Sequence, residues 1–162
     1  MITQQRLHEL FEYREDGNLI WKIKIGKRIK VGDIAGAYDQ GYTRISINYT
    51  RYPLHRLIFL YHHGYLTVGL QIDHIDGNSE NNRIENLREV TQRQNNMNSK
   101  LKVTNTSGVK GVYWSKAQRK WHSRIKVNGK NTHLGYYDTL EEAESVVKDA
   151  RKKYHGEYAR HN

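Results

Sequence analysis

Asp73, His74, Asn86 and Asn95 have the residue types that a metal-dependent phosphodiesterase needs, and they lie within one short stretch of chain. In the run Ile72-Asp73-His74-Ile75-Asp76-Gly77-Asn78 an imidazole sits between a carboxylate and an apolar residue, where a strand end can present it to water. Imidazoles titrate near pH 6.5 and are competent general bases at neutral pH. The carboxylate of Asp73 can hold a hard divalent cation, and Asn95 can add a second oxygen from a following helix. Two protein oxygens suffice, because magnesium keeps several waters in phosphoryl-transfer sites and so leaves room for a phosphate. Asparagines and Asp-Gly-Asn also build ordinary turns. The combined order of all these residues is what argues for a site. An EF-hand fits poorly, since Asp73 and Asp76 are three apart and the alternating ligand register with its central glycine is missing.

Such a site needs a strand, a loop, a second strand and a helix. The pattern supplies them in that order: residues 70–75 predict a strand, 76–86 a polar loop, 87–90 a strand and 91–98 a polar helix. Upstream, the spacing of Leu7, Leu10 and Phe11 predicts an opening helix that ends at the polar turn 14–18. Residues 19–23 read as a strand. After a basic loop at 24–30, the alternation of Tyr42, Arg44 and Ser46 with Thr43, Ile45 and Ile47 predicts a clearer one. A turn at 48–50 brings the chain back through Arg51-Tyr52. Pro53 then starts a helix with Leu54, Leu57, Ile58 and Tyr61 on one face, ending near Gly64. His55, His62 and His63 lie on that helix with no carboxylate near them in sequence, and they read as packing or surface histidines.

The second half differs in pattern. The stretch from Ser99 lacks periodicity and reads as a linker. Residues 111–114, 120–127 and 132–137 predict three strands, with turns at 115–119 and at Asn128-Gly129, a strong hairpin signal. Thr139 and Glu142 form a capping box, and Ala143, Val146, Val147, Ala150 and Tyr154 make the apolar stripe of a closing helix. Charge is uneven as well. Of the net +10 on 162 residues, seven charges lie beyond residue 100, as expected of a footprint for nucleic acid or another polyanion. With no cysteine, disulfides, thiol catalysis and cysteine-zinc knuckles are excluded. No apolar run approaches membrane-spanning length and the N-terminus lacks a signal-peptide core, so a cytoplasmic protein is expected.

The order His74, Asn86, Asn95 resembles the HNH (ββα-metal) endonucleases, with phage and intron-encoded homing enzymes the nearest type. The likeness covers roughly residues 40–98, including Tyr52-Pro53-Leu54-His55-Arg56-Leu57 and the run from Asp73 through Asn81-Asn82-Arg83-Ile84-Glu85-Asn86-Leu87-Arg88. It implies that His74 is the general base, that Asp73 and Asn95 are metal ligands, and that Asn86 holds the histidine loop. Asn96 and Asn98 are adjacent alternatives to Asn95, and this chain has asparagine where many family members carry a final histidine. Arg83, Arg88 and Arg93 can equally clamp phosphate or face solvent. The implied cofactor is one divalent metal ion, Mg2+, with Mn2+ able to substitute.

Residues 107–158 resemble the APETALA2-type DNA-binding domain through Val109-Lys110-Gly111-Val112, Lys120-Trp121, Ile125-Lys126 and the run His133 to Thr139 with Glu141-Glu142-Ala143. That family lays a three-stranded sheet in the major groove. By position, the likeness turns Lys110, Tyr113, Arg124, Lys126, Asn131 and His133 toward DNA. The plant domains carry more arginine on the first strand, so their base preference does not transfer. Trp121 is placed under the sheet, while Trp114 and Tyr136 can equally pack or contact DNA. The expectation is an α+β protein: an HNH nuclease domain with an N-terminal extension (1–98), a linker (99–107), and an APETALA2-like three-stranded antiparallel sheet plus helix (108–162). It would act as a monomeric, site-selective homing-type endonuclease on double-stranded DNA, with no membrane or protein partner, and a phage protein working in a bacterial host fits. The rivals are a non-enzymatic DNA-binding regulator with an inactive HNH fold and a structure-selective or RNA-directed nuclease.

Overall fold

The computed structural model describes residues 2–99, 101 and 103–160. They form two compact units, Met1–Gln92 and Arg93–Asn162, each with its own apolar cluster. The sheets of the described residues are small and antiparallel, giving a mixed α and β protein.

In the first unit, helix α1 (Gln4–Leu10) starts where the Thr3 hydroxyl accepts the Arg6 N–H, and it buries Leu7 and Leu10. Phe11, expected on this helix, instead begins strand β1 (Phe11–Arg14). It is fully buried there, and a single apolar residue at a helix end fits either period. β1 pairs with β2 (Asn18–Trp21), Phe11 opposite Trp21, through a turn at Gly17. A three-stranded sheet follows, of β3 (Ala37–Asp39), β4 (Tyr42–Ile47) and β5 (Thr50–Pro53). Helix α2 (Leu54–His63) begins directly after Pro53 and stops at Gly64, whose φ of 78° lets its N–H return to the Leu60 carbonyl. Its face of Leu54, Leu57 and Ile58 joins Leu7, Phe11, Leu19 and Ile45 in the core.

The predicted strand, loop and strand are present. β6 (Gln71–His74) and β7 (Leu87–Val90) pair antiparallel, with Asp73 opposite Arg88 and His74 opposite Leu87. Ile72 and Leu87 anchor this pair in the core beneath α2. A 3-10 turn, Ile84–Asn86, leads into β7.

The second unit starts within helix α3 (Gln92–Met97). Its sheet runs β10 (Lys130–Tyr137), β9 (Lys120–Val127), β8 (Val112–Ser115), all antiparallel. Helix α4 (Leu140–His155) opens on the predicted capping box of Thr139 and Glu142. It packs Ala143 and Val147 on Val112, with Trp121, Leu134 and Tyr137 around them. Fully buried Ser123 donates its hydroxyl to the Ala143 carbonyl at 2.8 Å, tying sheet to helix. Among the described residues no helix is long and apolar enough to cross a membrane.

The N-terminal hairpin also supports the histidine loop. A Cβ on Gly17, at φ 84°, would lie 2.6 Å from the backbone of Asn82 and Arg83. The Tyr13 hydroxyl accepts the Ile84 N–H at 3.1 Å. Gly17→Ala therefore combines left-handed strain with a backbone clash and should cost about 2–4 kcal/mol. Gly41→Ala, at φ 91° with nothing within 4 Å, should show the strain alone, about 1 kcal/mol. Urea unfolding of both variants measures the difference, and equal losses would show that the hairpin does not press on the loop.

Candidate active site

His74 ends β6 with its ring buried, and its Nε2 lies 3.0 Å from Asn82 Oδ1. The Asn82 amide is oriented by its own Nδ2, which donates to the Glu80 carbonyl at 3.2 Å. Its oxygen therefore faces the imidazole, and a carbonyl oxygen only accepts. Nε2 must carry the proton, which puts the basic lone pair on Nδ1. Asn82, itself 3% exposed, thus fixes the tautomer of His74. In the sequence Asn82 lies within the HNH-like run, and its residue type alone assigns it no role. The available signal was that an asparagine eight residues beyond a histidine, inside a closed loop, can reach back to it.

The loop itself is closed by Asn86. Its Oδ1 accepts the Asp76 N–H at 3.1 Å, its Nδ2 donates to Asp76 Oδ1 at 3.0 Å and to the Asn81 carbonyl at 2.8 Å, and its carbonyl accepts the Ile75 N–H. The bonds to Ile75 and Asp76 join one end of the loop to the other, and the bond to Asn81 ties down its middle. Asp76 adds bonds from the Asn78 N–H and the Asn81 amide, both 2.7 Å. Burial pushes the Asp76 carboxyl up, but those three donors and the nearby His74 outweigh it and hold it below the usual carboxylate range.

Asp73, next to His74 on β6, is 7% exposed, and its Oδ2 accepts from Arg88 Nε at 3.3 Å and Nη2 at 3.2 Å. Of the three motif arginines, Arg88 therefore meets a carboxylate directly across the strand pair. Arg93 donates to Asn128 Oδ1 in the second unit. His55, expected to pack, is buried, with its ring 5.0 Å from that of His74 and 5.4 Å from that of Tyr42. Burial first, then His74, Arg56 and Arg44, lower its pKa to about 3, so it stays neutral at physiological pH. His62 sits edge-on to Tyr13 and His63 lies against Phe59. Among the described residues no three His, Asp or Glu side chains form a metal cluster.

Asn95 is half-buried on α3, Asn96 is exposed and Asn98 is buried. In the second unit, Tyr113, Arg124, Lys126, Asn131 and His133 share the sheet face away from α4, by strand alternation and by the pairing of Asn131 with Lys126 and His133 with Arg124. Lys110 departs from the expected set. Its ammonium donates to the carbonyls of Met97 at 3.0 Å and Ser99 at 2.6 Å, which ties the end of α3 down rather than reaching outward. Burial, with Arg151 and Arg160 close by, lowers its pKa to about 8. Trp121 packs under the sheet as expected, with Trp114 edge-on against it.

A family model described as HNH endonuclease matches residues 52–97, which span Asp73, His74, Asn86 and Asn95. The chain is also 37% identical over 97 residues to "Protein 3.8" of Escherichia phage T7, covering 60% of this chain and 79% of that protein. The chain belongs to the HNH endonuclease family. It is 29% identical over 119 residues to "Uncharacterized HNH endonuclease L560" of Acanthamoeba polyphaga mimivirus, covering 73% of this chain and 61% of the relative. It is 35% identical over 98 residues to "SPbeta prophage-derived putative HNH homing endonuclease YosQ" of Bacillus subtilis (strain 168), covering 60% and 56%. The chain thus spans less than two thirds of the length of these last two relatives. No solved structure matches it at a significant level. The APETALA2-type likeness finds no support in these matches.

Within this HNH site, two outcomes follow from the hydrogen bonds and the burial. Nitrogen-detected NMR should find His74 as the Nε2–H tautomer, and Asn82→Ala should shift it toward a mixture; an unchanged spectrum would remove Asn82 from the role. For His55, a folded pKa below the unfolded one makes its stabilising contribution complete above about pH 6.5 and progressively lost as pH falls toward 3. His55→Leu should therefore lose less stability than the parent between pH 6.5 and 4.5 in denaturant titrations.

Proposed function

We propose that this HNH protein is a site-selective, metal-dependent DNA endonuclease of homing type, whose second unit holds double-stranded DNA. The observation that carries this reading is the buried His74–Asn82 hydrogen bond, which leaves the basic nitrogen of the imidazole on the edge opposite its anchor. His74 takes the proton of the attacking water. Asn86 keeps the loop closed around it and does not touch substrate. By the family resemblance, Asp73 and Asn95 would supply a carboxylate and an amide oxygen, donor types that suit one hard divalent ion, Mg2+ or Mn2+, keeping water in its remaining positions. Such an ion supplies charge for the phosphate and the leaving oxygen. Cleavage then leaves a 5′-phosphate and a 3′-hydroxyl, and a monomer with one centre nicks a single strand.

The second unit has a three-stranded sheet backed by a helix, the layout of the APETALA2-type domain, and Tyr113, Arg124, Lys126, Asn131 and His133 on one face support its use against DNA. A strand face of this kind can enter a major groove. The excess of positive charge beyond residue 100 strengthens the fit.

One observation favours a second reading, a DNA-binding regulator with an inactive HNH fold. Arg88 already neutralises the buried carboxylate of Asp73, so a cation must compete with it or share it. A supercoiled-plasmid assay with and without magnesium decides between the two. The nuclease reading expects nicking that chelation abolishes, and a loss of about 100 to 10,000-fold in His74→Ala with DNA affinity kept. Asp73→Ala should shift the magnesium titration further than Asn95→Ala, because an anionic oxygen holds the ion better than an amide. Unchanged nicking by His74→Ala would refute the base assignment, and DNA binding without any cleavage would favour the regulator.

A further inference from the structure

The sheet face that the proposed function turns toward DNA holds a feature which that reading does not use. His122 Nε2 and His133 Nδ1 lie 2.6 Å apart, with ring centroids at 4.7 Å. A register shift between His133 and Gly135 in β10 brings His133 and Tyr136 to the same side as His122, while Leu134 and Tyr137 go to the core. Tyr136 stacks on His122 at 4.7 Å, and Tyr113 from β8 meets it edge-on at 4.6 Å. Arg124 lies over Tyr113 at 4.6 Å and pairs in register with His133.

Two ring nitrogens at this distance can share only one proton. Two lone pairs would repel and two N–H groups would clash. With both rings neutral, one of them donates the shared proton, so of the two outer nitrogens, His122 Nδ1 and His133 Nε2, one carries a proton and the other a lone pair. A single added proton turns both outer nitrogens into donors and leaves the hydrogen bond between the rings intact. A second would force two N–H groups together and split the pair. The arrangement therefore accepts one proton without rearranging, and becomes a two-donor cation.

We propose that His122 and His133 form one phosphate-binding site of the second unit, which takes up a single proton as a nucleic-acid backbone phosphodiester docks. This rests on the sheet face being the DNA-facing surface. The charged and titratable groups facing the pair are Tyr113 from β8, Arg124 on β9 and Tyr136 on β10; Lys120, further along β9, is ion-paired with Asp138 at 3.0 Å. Without DNA, burial, then His133 and Arg124, hold the His122 pKa below its ordinary value. An incoming phosphodiester reverses the sign of the local field and favours the protonated pair. By linkage, whatever raises the proton affinity on binding makes binding tighter as pH falls.

The test is fluorescence anisotropy of the full chain on a duplex oligonucleotide in EDTA, from pH 8 to pH 5.5 and across a salt series. Affinity should rise by up to about tenfold per pH unit within the titrating range. The log-affinity against log-salt slope should be steeper by about 0.9 at the low end, the signature of one added phosphate contact. His122→Gln and His133→Gln should each flatten that gain, and the double variant should be no flatter than either. Calorimetry in buffers of different ionisation enthalpy should report uptake of about one proton near the midpoint, lost in both single variants. Variants that keep the parent's pH dependence, while Arg124→Ala and Lys126→Ala still weaken binding, would overturn the proton-linked site and leave the DNA-facing surface standing. No effect of Arg124→Ala or Lys126→Ala would overturn both.

Discussion

One buried hydrogen bond sets which nitrogen of His74 holds the proton, and contacts from across the first unit keep that bond in place. Asn82 accepts from His74 Nε2, and the position of Asn82 depends on the loop that carries it. That loop is polar and long, and it would be expensive to order by local propensity alone. Its order comes from Asn86, which bonds to Ile75, Asp76 and Asn81 with both its backbone and its amide. Beneath it, the β6–β7 pair is held to the core by Ile72 and Leu87. From outside, the β1–β2 hairpin presses Gly17 against the backbone at Asn82 and Arg83. The tautomer of one ring thus depends on contacts drawn from residues far apart in the chain.

The electrostatics of the same region are divided by burial. His55 and His74 have their rings 5.0 Å apart, and two imidazolium charges in a buried pair would repel strongly. Desolvation keeps His55 neutral, which spares His74 a positive neighbour. Asp76, better hydrated and held by three donors, stays ionised and complements any positive charge that His74 gains. Asp73 is different: its charge is already met by Arg88, so this buried pair stabilises the strand register. Removing Arg88 would leave a buried carboxylate without that partner, a change that typically costs a few kcal/mol. The ion pair therefore links the stability of the strand pair to the electrostatics of the site.

Elements with strong periodicity or an explicit stop signal could be read from the sequence. Helix α2 shows an apolar face between Pro53 and Gly64, and α4 shows its capping box; both form where those residues place them. The β9–β10 hairpin follows from Asn128-Gly129, both of which take positive φ. At Phe11 the pattern is ambiguous, because burial satisfies a helix end and a strand start alike. At the site, His74 and Asn86 stand out through residue type and spacing, whereas Asn82 acts through the direction of its amide, which only the Glu80 carbonyl reveals. Lys110 carried the same signal as Lys126, a cation among strand residues, yet it bonds the carbonyls at the end of α3. Whether a lysine faces outward depends on which carbonyls the tertiary fold brings within its reach.

The second unit shows how much a one-residue irregularity can decide. Strict alternation along β10 would put His133 and Tyr136 on opposite faces, one of them against α4. The shift at Gly135, whose φ of 140° suits a residue without a Cβ, moves Tyr136 onto the face of His133 and lets it stack on His122. A substituted residue there would also run its Cβ into the Tyr137 ring, 2.5 Å from the hydroxyl oxygen that donates to the Leu134 carbonyl. One glycine thus sets the inward packing of Tyr137 and the outward grouping of His122, His133 and Tyr136. Which side chains that face presents is fixed by backbone geometry at a position with no side chain of its own.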